Sequence, residues 1–216
     1  MQKQTARIVA FIGAAMGWFA VIAQLYLIIA NRVVSIPGTV LRFFSYFTID
    51  TNILVALCFT FIFLGNRSRL GKIFTKATTI TALTVYITIV GIVYNTILRL
   101  TWDPQGLARV VDELLHTVIP VYFILFWVIF TPGEGLKYRQ ALSWLIYPLV
   151  YIFYAVIHGA ITKFYPYMFV DVTRHGYGKV LVNAGLILLA IFVLSLVLIA
   201  TGKAASDKKK SAKPTS

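Results

Sequence analysis

The chain has 216 residues, 59% of them hydrophobic, with a mean hydropathy of +0.84 and a net charge of +13. A soluble domain of this length does not carry that profile, and long unbroken apolar runs exclude the residue alternation of a water-filled β-barrel. The charge by itself would fit a nucleic-acid partner, but no aromatic–basic binding module accompanies it, so nucleic acid is set aside.

Six apolar segments follow one another at roughly 8–30, 43–65, 77–98, 113–130, 141–161 and 179–200. Each is close to the ~20 residues that cross a bilayer core. They predict an all-α polytopic membrane domain over residues 1–202, six helices in one bundle, and then a disordered basic tail over 203–216, too polar and short to fold. Thirteen of the Lys and Arg residues fall with the termini and the second and fourth loops, against seven on the other side. The positive-inside rule therefore predicts both termini in the cytoplasm. The Lys208-Lys209-Lys210 run is expected to touch anionic headgroups. The first span is longer than a signal-peptide core of ~7–15 residues and reads as a retained signal anchor. Trp127 and Trp144 are expected near the cytoplasmic interface. Cys58 stands alone in mid-span, so no internal disulfide forms.

Threading the chain back and forth puts Gln24, Asp50, Asn52, Asn95, Arg99, His116, His158 and Asn183 in the half facing the first, third and fifth loops. The opposite half carries only Ser and Thr. Ionisable groups cost about 2.5–3.5 kcal/mol each on insertion scales and normally face a bundle interior, a cavity or a partner. Their gathering at one depth predicts a polar pocket near one leaflet.

In span 1, Gln24 reads as a helix–helix hydrogen bond. Span 2 opens Phe43-Phe44-Ser45-Tyr46-Phe47-Thr48-Ile49-Asp50-Thr51-Asn52. At ~100° per residue, Thr48, Thr51 and Asn52 share a face and Asp50 points elsewhere. The two hydroxyls can bond their own i−4 carbonyls or serve a pocket. A carboxylate at this depth is protonated or paired, and Arg99 is the expected partner. In span 3, Asn95 and Arg99 lie one turn apart; Arg99 either pairs with Asp50 or snorkels to headgroups. The loop Trp102-Asp103-Pro104-Gln105-Gly106 has turn chemistry.

Span 4 carries His116 and Pro120. Proline has no N–H, so the carbonyl of His116 loses its helical partner and the helix is predicted to kink beside the imidazole. Span 5 carries Tyr147, Tyr151, Tyr154 and His158 on one face, either as packing or as the wall of an amphiphile groove. Pro148 is predicted to bend this helix and free the carbonyl of Trp144. The aromatic segment Lys163-Phe164-Tyr165-Pro166-Tyr167-Met168-Phe169-Val170-Asp171 is placed to cover the pocket, and Asn183 in span 6 reads as helix glue.

With three His and no close His/Cys/carboxylate spacing, no metal site is expected. Two His on adjacent spans could hold a haem axially only if both faced one cavity, and no cofactor is expected. A hydroxyl nucleophile with an imidazole base remains, since threonine needs a neighbouring base to take its proton. Thr48 and His116 lie at similar depth, with Asn52 or Asn95 as candidate oxyanion donors.

Across nearly its whole length the chain resembles a bacterial six-span membrane-protein family. The resemblance is carried by Tyr46-Phe47-Thr48 with Thr51-Asn52, Trp102-Asp103-Pro104-Gln105-Gly106, Leu114-Leu115-His116-Thr117 with Pro120, Tyr147-Pro148 with Tyr151, and Tyr165-Pro166-Tyr167 with Phe169. It is similar, more distantly, to the androgen-induced and androgen-dependent transmembrane proteins, which are threonine hydrolases of fatty acid esters of hydroxy fatty acids. Their catalytic Thr follows an aromatic pair early in a span, matching Thr48, and their catalytic His stands in a His-Thr-Thr-x-x-Pro context, matching His116. Their polar residue follows the Thr by three places, whereas Asp50 follows Thr48 by two, so Thr51 is the alternative equivalent. The resemblance implies a multi-pass protein of the bacterial inner membrane that hydrolyses fatty acyl esters. Thr48 would be nucleophile and His116 base, with Asp50, Asn52, Asn95, Arg99, Tyr147, Tyr151, Tyr154 and His158 around the pocket and membrane lipids as partners. A non-catalytic lipid or amphiphile binder is the alternative.

Overall fold

In hydrocarbon a backbone must satisfy its own polar groups, and a single chain does so most simply as helix. The computed structural model describes residues 2–211 apart from Asn66, Trp102, Pro132 and Glu134. Trp102, the side chains of Lys209 and Lys210, and residues 212–216 of the expected tail lie outside the described residues. Those described form helices and connecting turns, with no strand among them.

The first three α-helices are α1 (Gln2–Ala30), α2 (Ile36–Phe43) and α3 (Phe47–Leu64). They are followed by α4 (Arg69–Phe74), α5 (Ala77–Val93), α6 (Leu107–Glu113) and α7 (Ile119–Phe130). The chain ends with α8 (Gln140–Trp144), α9 (Ile146–Thr162) and α10 (Val172–Ser211), the last kinked at Gly176, where the backbone leaves helical geometry. Six stretches are long and apolar enough to cross a membrane, namely Lys3–Ala30, Phe47–Leu64, Ala77–Thr101, Leu107–Phe130, Gln140–Thr162 and Val172–Lys208. This is a multi-pass membrane architecture.

Alternation of the spans is visible in their end contacts. At one end, Arg7 at the start of α1 donates to the carbonyl of Phe63 at the end of α3, at 2.9 Å. There too Lys203 of α10 lies 4.7 Å from the Tyr138 ring, in the loop after α7. At the other end the finish of α1, the start of α3, the finish of the third span and the segment 163–171 come together. Between the ends, Gly13 and Gly17 bring α1 against Phe59 and Ala56 of α3, and Phe59 packs edge-on to Phe123 and Phe126 of α7 at 5.0 and 5.2 Å.

Several boundaries differ from the sequence reading. The second span begins at Phe47, because Ile36–Phe43 forms a separate short helix capped by the Ser35 hydroxyl with proline in its first turn. The last helix runs on through Ser211, so residues 203–211 are helical and not disordered. Propagating a formed helix into an Ala/Lys-rich stretch costs little. Trp127 and Trp144, each near an end of its span, are buried against neighbouring helices, and the Trp127 indole donates to the Thr81 hydroxyl at 2.9 Å.

Both prolines free the carbonyls expected of them. Pro148 lies just after a break between α8 and α9 at Leu145, and the Trp144 carbonyl it frees accepts from the Tyr86 hydroxyl at 2.7 Å. Ahead of Pro120 the fourth span widens into a π turn, Leu114–Val118. A second π turn, Tyr94–Leu98, faces it from the third span. There the Asn95 amide and the Thr96 hydroxyl engage the carbonyls of Gly91 and Ile92, which spreads the turn.

Candidate functional site

The two π turns hold the chemistry. Proline at 120 leaves the His116 carbonyl without its i+4 donor, and the Asn95 amide supplies one at 3.2 Å. The Ile119 N–H bonds the Leu114 carbonyl instead of that of Leu115. In the wider register Leu115 would look to Pro120, which again has no N–H. The Asn52 amide meets this second orphan at 3.2 Å while also bonding the Thr48 carbonyl at 2.8 Å. One buried nitrogen thus ties the start of α3 to the π turn bearing His116. Gly91 permits the approach, since a Cβ there would stand 3.3 Å from the His116 carbonyl.

A cavity of about 560 Å³ opens at this end of the bundle. Its polar lining includes Gln24, Thr48, Asp112 and His116, with Tyr94 and Tyr167 between them. Leu27, Phe43, Leu115 and Met168 are among the apolar part. A second, apolar slot of about 60 Å³ runs toward α9 and α10 and shares Thr48, Tyr94, Leu98 and Tyr167 with the first.

Thr48 is 8% exposed. Its N–H donates to the Tyr167 hydroxyl at 3.1 Å, and its own hydroxyl shares a hydrogen with the same oxygen at 3.1 Å. Tyr167 belongs to the segment 163–171, which therefore closes over Thr48; Tyr46 packs edge-on to Tyr167 and Phe164, and Arg42 sits 4.4 Å from the Phe164 ring. Burial pushes the Tyr167 phenol up to about 12, with its bonds to Thr48 pulling the other way, so it stays a neutral hydroxyl at physiological pH. Burial likewise raises the Tyr46 phenol, against the pull of Arg42.

His116 is fixed from three directions. Its Nδ1 lies 2.9 Å from the Asp112 carbonyl and 3.2 Å from Asp112 Oδ1. The Tyr94 ring stacks on the imidazole at 3.9 Å and 11°, and the Tyr94 hydroxyl donates to Asp112 Oδ2. The sequence reading singled out neither Asp112 nor Tyr94, although Asp112 stands four residues before His116 and was legible as an i,i+4 partner.

Other expectations are corrected. Arg99 pairs with Glu113 at 2.6 Å and reaches Thr117 at 3.2 Å, not Asp50. Asp50 is half-buried, and its carboxylate has no hydrogen-bond or ion-pair partner among the described residues. It lies off the face of Thr48 and Asn52, as the helix period required, and faces a different set of neighbours from Arg99. Neither Asn52 nor Asn95 has an N–H to spare for an oxyanion: each amide nitrogen already serves two carbonyls. The Asn52 side-chain oxygen is buried without a partner. Thr51 is fully buried, bonds the Tyr147 hydroxyl at 3.3 Å and lines neither cavity.

The phenol face of α9 divides. Tyr147 packs on Phe47 at 5.1 Å, and Tyr151 donates to the Ser45 carbonyl at 2.8 Å and lines only the small slot. Tyr154 and His158 line neither cavity; His158 packs beside Tyr154 and Phe164. The two imidazoles thus do not face one cavity and form no axial pair. Asn183 donates to the Phe169 carbonyl at 3.0 Å and ties the covering segment to α10, whereas Gln24 lines the large cavity. No family model, curated protein or solved structure matches this chain.

Proposed function

We propose that this chain is an integral membrane hydrolase of fatty acyl esters, with Thr48 as nucleophile and His116 as general base. The observation that carries the reading is that both side chains line one cavity, whose wall joins polar groups to apolar ones and which adjoins a mainly apolar slot. An amphiphilic ester fits such a site, with its chain among the apolar groups and its carbonyl beside Thr48. Thr48 Oγ attacks that carbonyl and its proton passes to Nε2 of His116, which returns it to the departing alkoxide. Water then attacks the acyl-Thr48 ester by the same route and restores the hydroxyl. The charge bias of the loops favours both termini in the cytoplasm, which puts the cavity toward the outer leaflet of a bacterial inner membrane.

One observation favours the rival reading, a lipid or amphiphile binder without chemistry. The Thr48 hydroxyl is engaged by Tyr167 and not by His116. Purified protein in detergent, offered p-nitrophenyl acyl esters and a branched fatty ester, separates the two. The hydrolase reading expects turnover that Thr48→Ala and His116→Ala each reduce at least about a hundredfold. Tight lipid binding with no turnover, or turnover indifferent to both substitutions, supports the binder.

A further inference from the structure

Carbonyl oxygens only accept hydrogen bonds, so the 2.9 Å contact between His116 Nδ1 and the Asp112 carbonyl puts a proton on Nδ1. In the neutral ring Nε2 is then the nitrogen with the free lone pair. Asp112 adds a second acceptor to the same nitrogen, Oδ1 at 3.2 Å, while its Oδ2 accepts from Tyr94. With both oxygens accepting, the geometry is satisfied by the carboxylate form. Asp112 is 9% exposed, so its charge is weakly screened by water.

We propose that Asp112 is the positioning residue of His116, holding Nδ1–H so that Nε2 is the base and stabilising the imidazolium once Nε2 is protonated. This rests on the hydrolase reading for its kinetic meaning, though not for its geometry. In the attack step Nε2 gains the Thr48 hydroxyl proton and the ring becomes cationic. The Nδ1 proton stays where it is, and Asp112 neither gains nor loses one. Tyr94 completes the device, its hydroxyl fixing the carboxylate and its ring face lying on the imidazolium. The other charges nearby are Glu113 on the same helix and Arg99 from the third span, and these neutralise each other at 2.6 Å. The rest of the cavity's polar lining among the described residues is uncharged: the amides of Gln24 and Asn31, the phenols of Tyr46 and Tyr167, and the hydroxyls of Thr48 and Thr101.

Two measurements test this. In protein carrying His158→Gln and His175→Gln, labelled with ¹⁵N-histidine and reconstituted in nanodiscs, neutral His116 should appear as the Nδ1–H tautomer. Its Nδ1 proton should resonate far downfield and move upfield on Asp112→Asn. An Nε2–H tautomer, or a proton that Asp112→Asn leaves in place, overturns the assignment whether or not the protein hydrolyses esters. In the ester assay Asp112→Asn should lower kcat about a hundredfold or more with KM within about twofold, and Asp112→Glu should recover part of the loss. A loss carried by KM, or no recovery with Glu, marks a structural role and overturns the proposal. Absence of turnover in the wild type defeats the hydrolase reading alone and leaves the tautomer to decide for Asp112.

Discussion

The amide of Asn95 donates to the carbonyl of His116, the acceptor that Pro120 deprives of its helical partner. Asn52 does the same for Leu115, one residue earlier and from the opposite neighbour. The π turn under the imidazole is therefore held by two side chains whose donors replace two missing backbone ones. Removing a donor leaves a carbonyl unpaired at a cost of about 1–3 kcal/mol where water is excluded. Asn52 is fully buried and Asn95 is exposed, so the two should differ. We expect Asn52→Ala to lower the thermal unfolding temperature in detergent clearly and Asn95→Ala only slightly. Asn52→Asp, similar in size but without N–H donors, should be at least as damaging as Asn52→Ala. If Asp is tolerated at position 52, the amide is not the donor it is taken to be.

Asp50 and Arg99, the pair anticipated from charge and depth, should behave as strangers. Arg99 and Glu113 form an exposed pair, and a double-mutant cycle of Arg99→Gln with Glu113→Gln should return a small favourable coupling that salt weakens. The cycle of Arg99→Gln with Asp50→Asn should be additive within about 0.3–0.5 kcal/mol. Asp50→Asn alone should leave stability unchanged or raise it, because it removes an unpartnered carboxylate from a half-buried position. A coupling above about 1 kcal/mol between Asp50 and Arg99 would restore the original pairing.

The contrast between these two cases marks what the sequence could tell. Pro120 and Pro148 act through a covalent fact, the missing N–H, so the carbonyls of His116 and Trp144 could be named in advance; the structure pairs them with Asn95 and Tyr86. Helix periodicity likewise separated Asp50 from the Thr48 face. Partner choice across helices was not legible, since it depends on rotation and crossing of spans that hydropathy leaves free. Hence Arg99 found Glu113 on the fourth span, and Thr48 found Tyr167 instead of its own i−4 carbonyl. The Asp112–His116 pair was available at i,i+4 but hidden by its place at the polar start of a span, where a carboxylate reads as an interface residue.

Asp171 caps the short helical turn 172–175 that precedes the kink at Gly176 in α10. Its Oδ1 accepts from the N–H of Thr173 at 2.9 Å, the N–H of Arg174 at 3.2 Å and the Thr173 hydroxyl at 2.6 Å. The Thr173 hydroxyl, first among these, holds the carboxyl below the usual carboxylate range, with the two N–H groups and His175 adding to the effect and slight burial opposing it. A folded-state value below the unfolded one stabilises above the unfolded carboxylate value, near pH 4, and the contribution is lost as pH falls through the depressed value. Asp171→Ala should therefore cost about 1 kcal/mol or less at pH 7 and progressively less on acidification. Unfolding temperatures of the two proteins should converge toward pH 3. A gap that is constant with pH would assign the loss to packing of the covering segment.

Tyr167 decides how Thr48 can act. Its oxygen accepts the Thr48 N–H, so its single proton is left to point at Thr48 Oγ or away from it. If Thr48 gives its own proton toward His116, the Tyr167 proton is the one that can rest on Thr48 Oγ, where it holds the attacking oxygen in one orientation. Burial keeps that phenol protonated throughout the neutral range, so the donor is present whenever the base is. Tyr167→Phe keeps the ring and its edge contact with Tyr46 while deleting the hydroxyl. On the hydrolase reading it should reduce kcat at least about tenfold, leave KM within about twofold, and lower stability by about 1 kcal/mol for the bond to the Thr48 N–H. A higher kcat would reverse the role: the hydroxyl would then be a brake that occupies the nucleophile until the segment 163–171 lifts. Stability loss with an unchanged kcat would reduce Tyr167 to a clasp between that segment and α3.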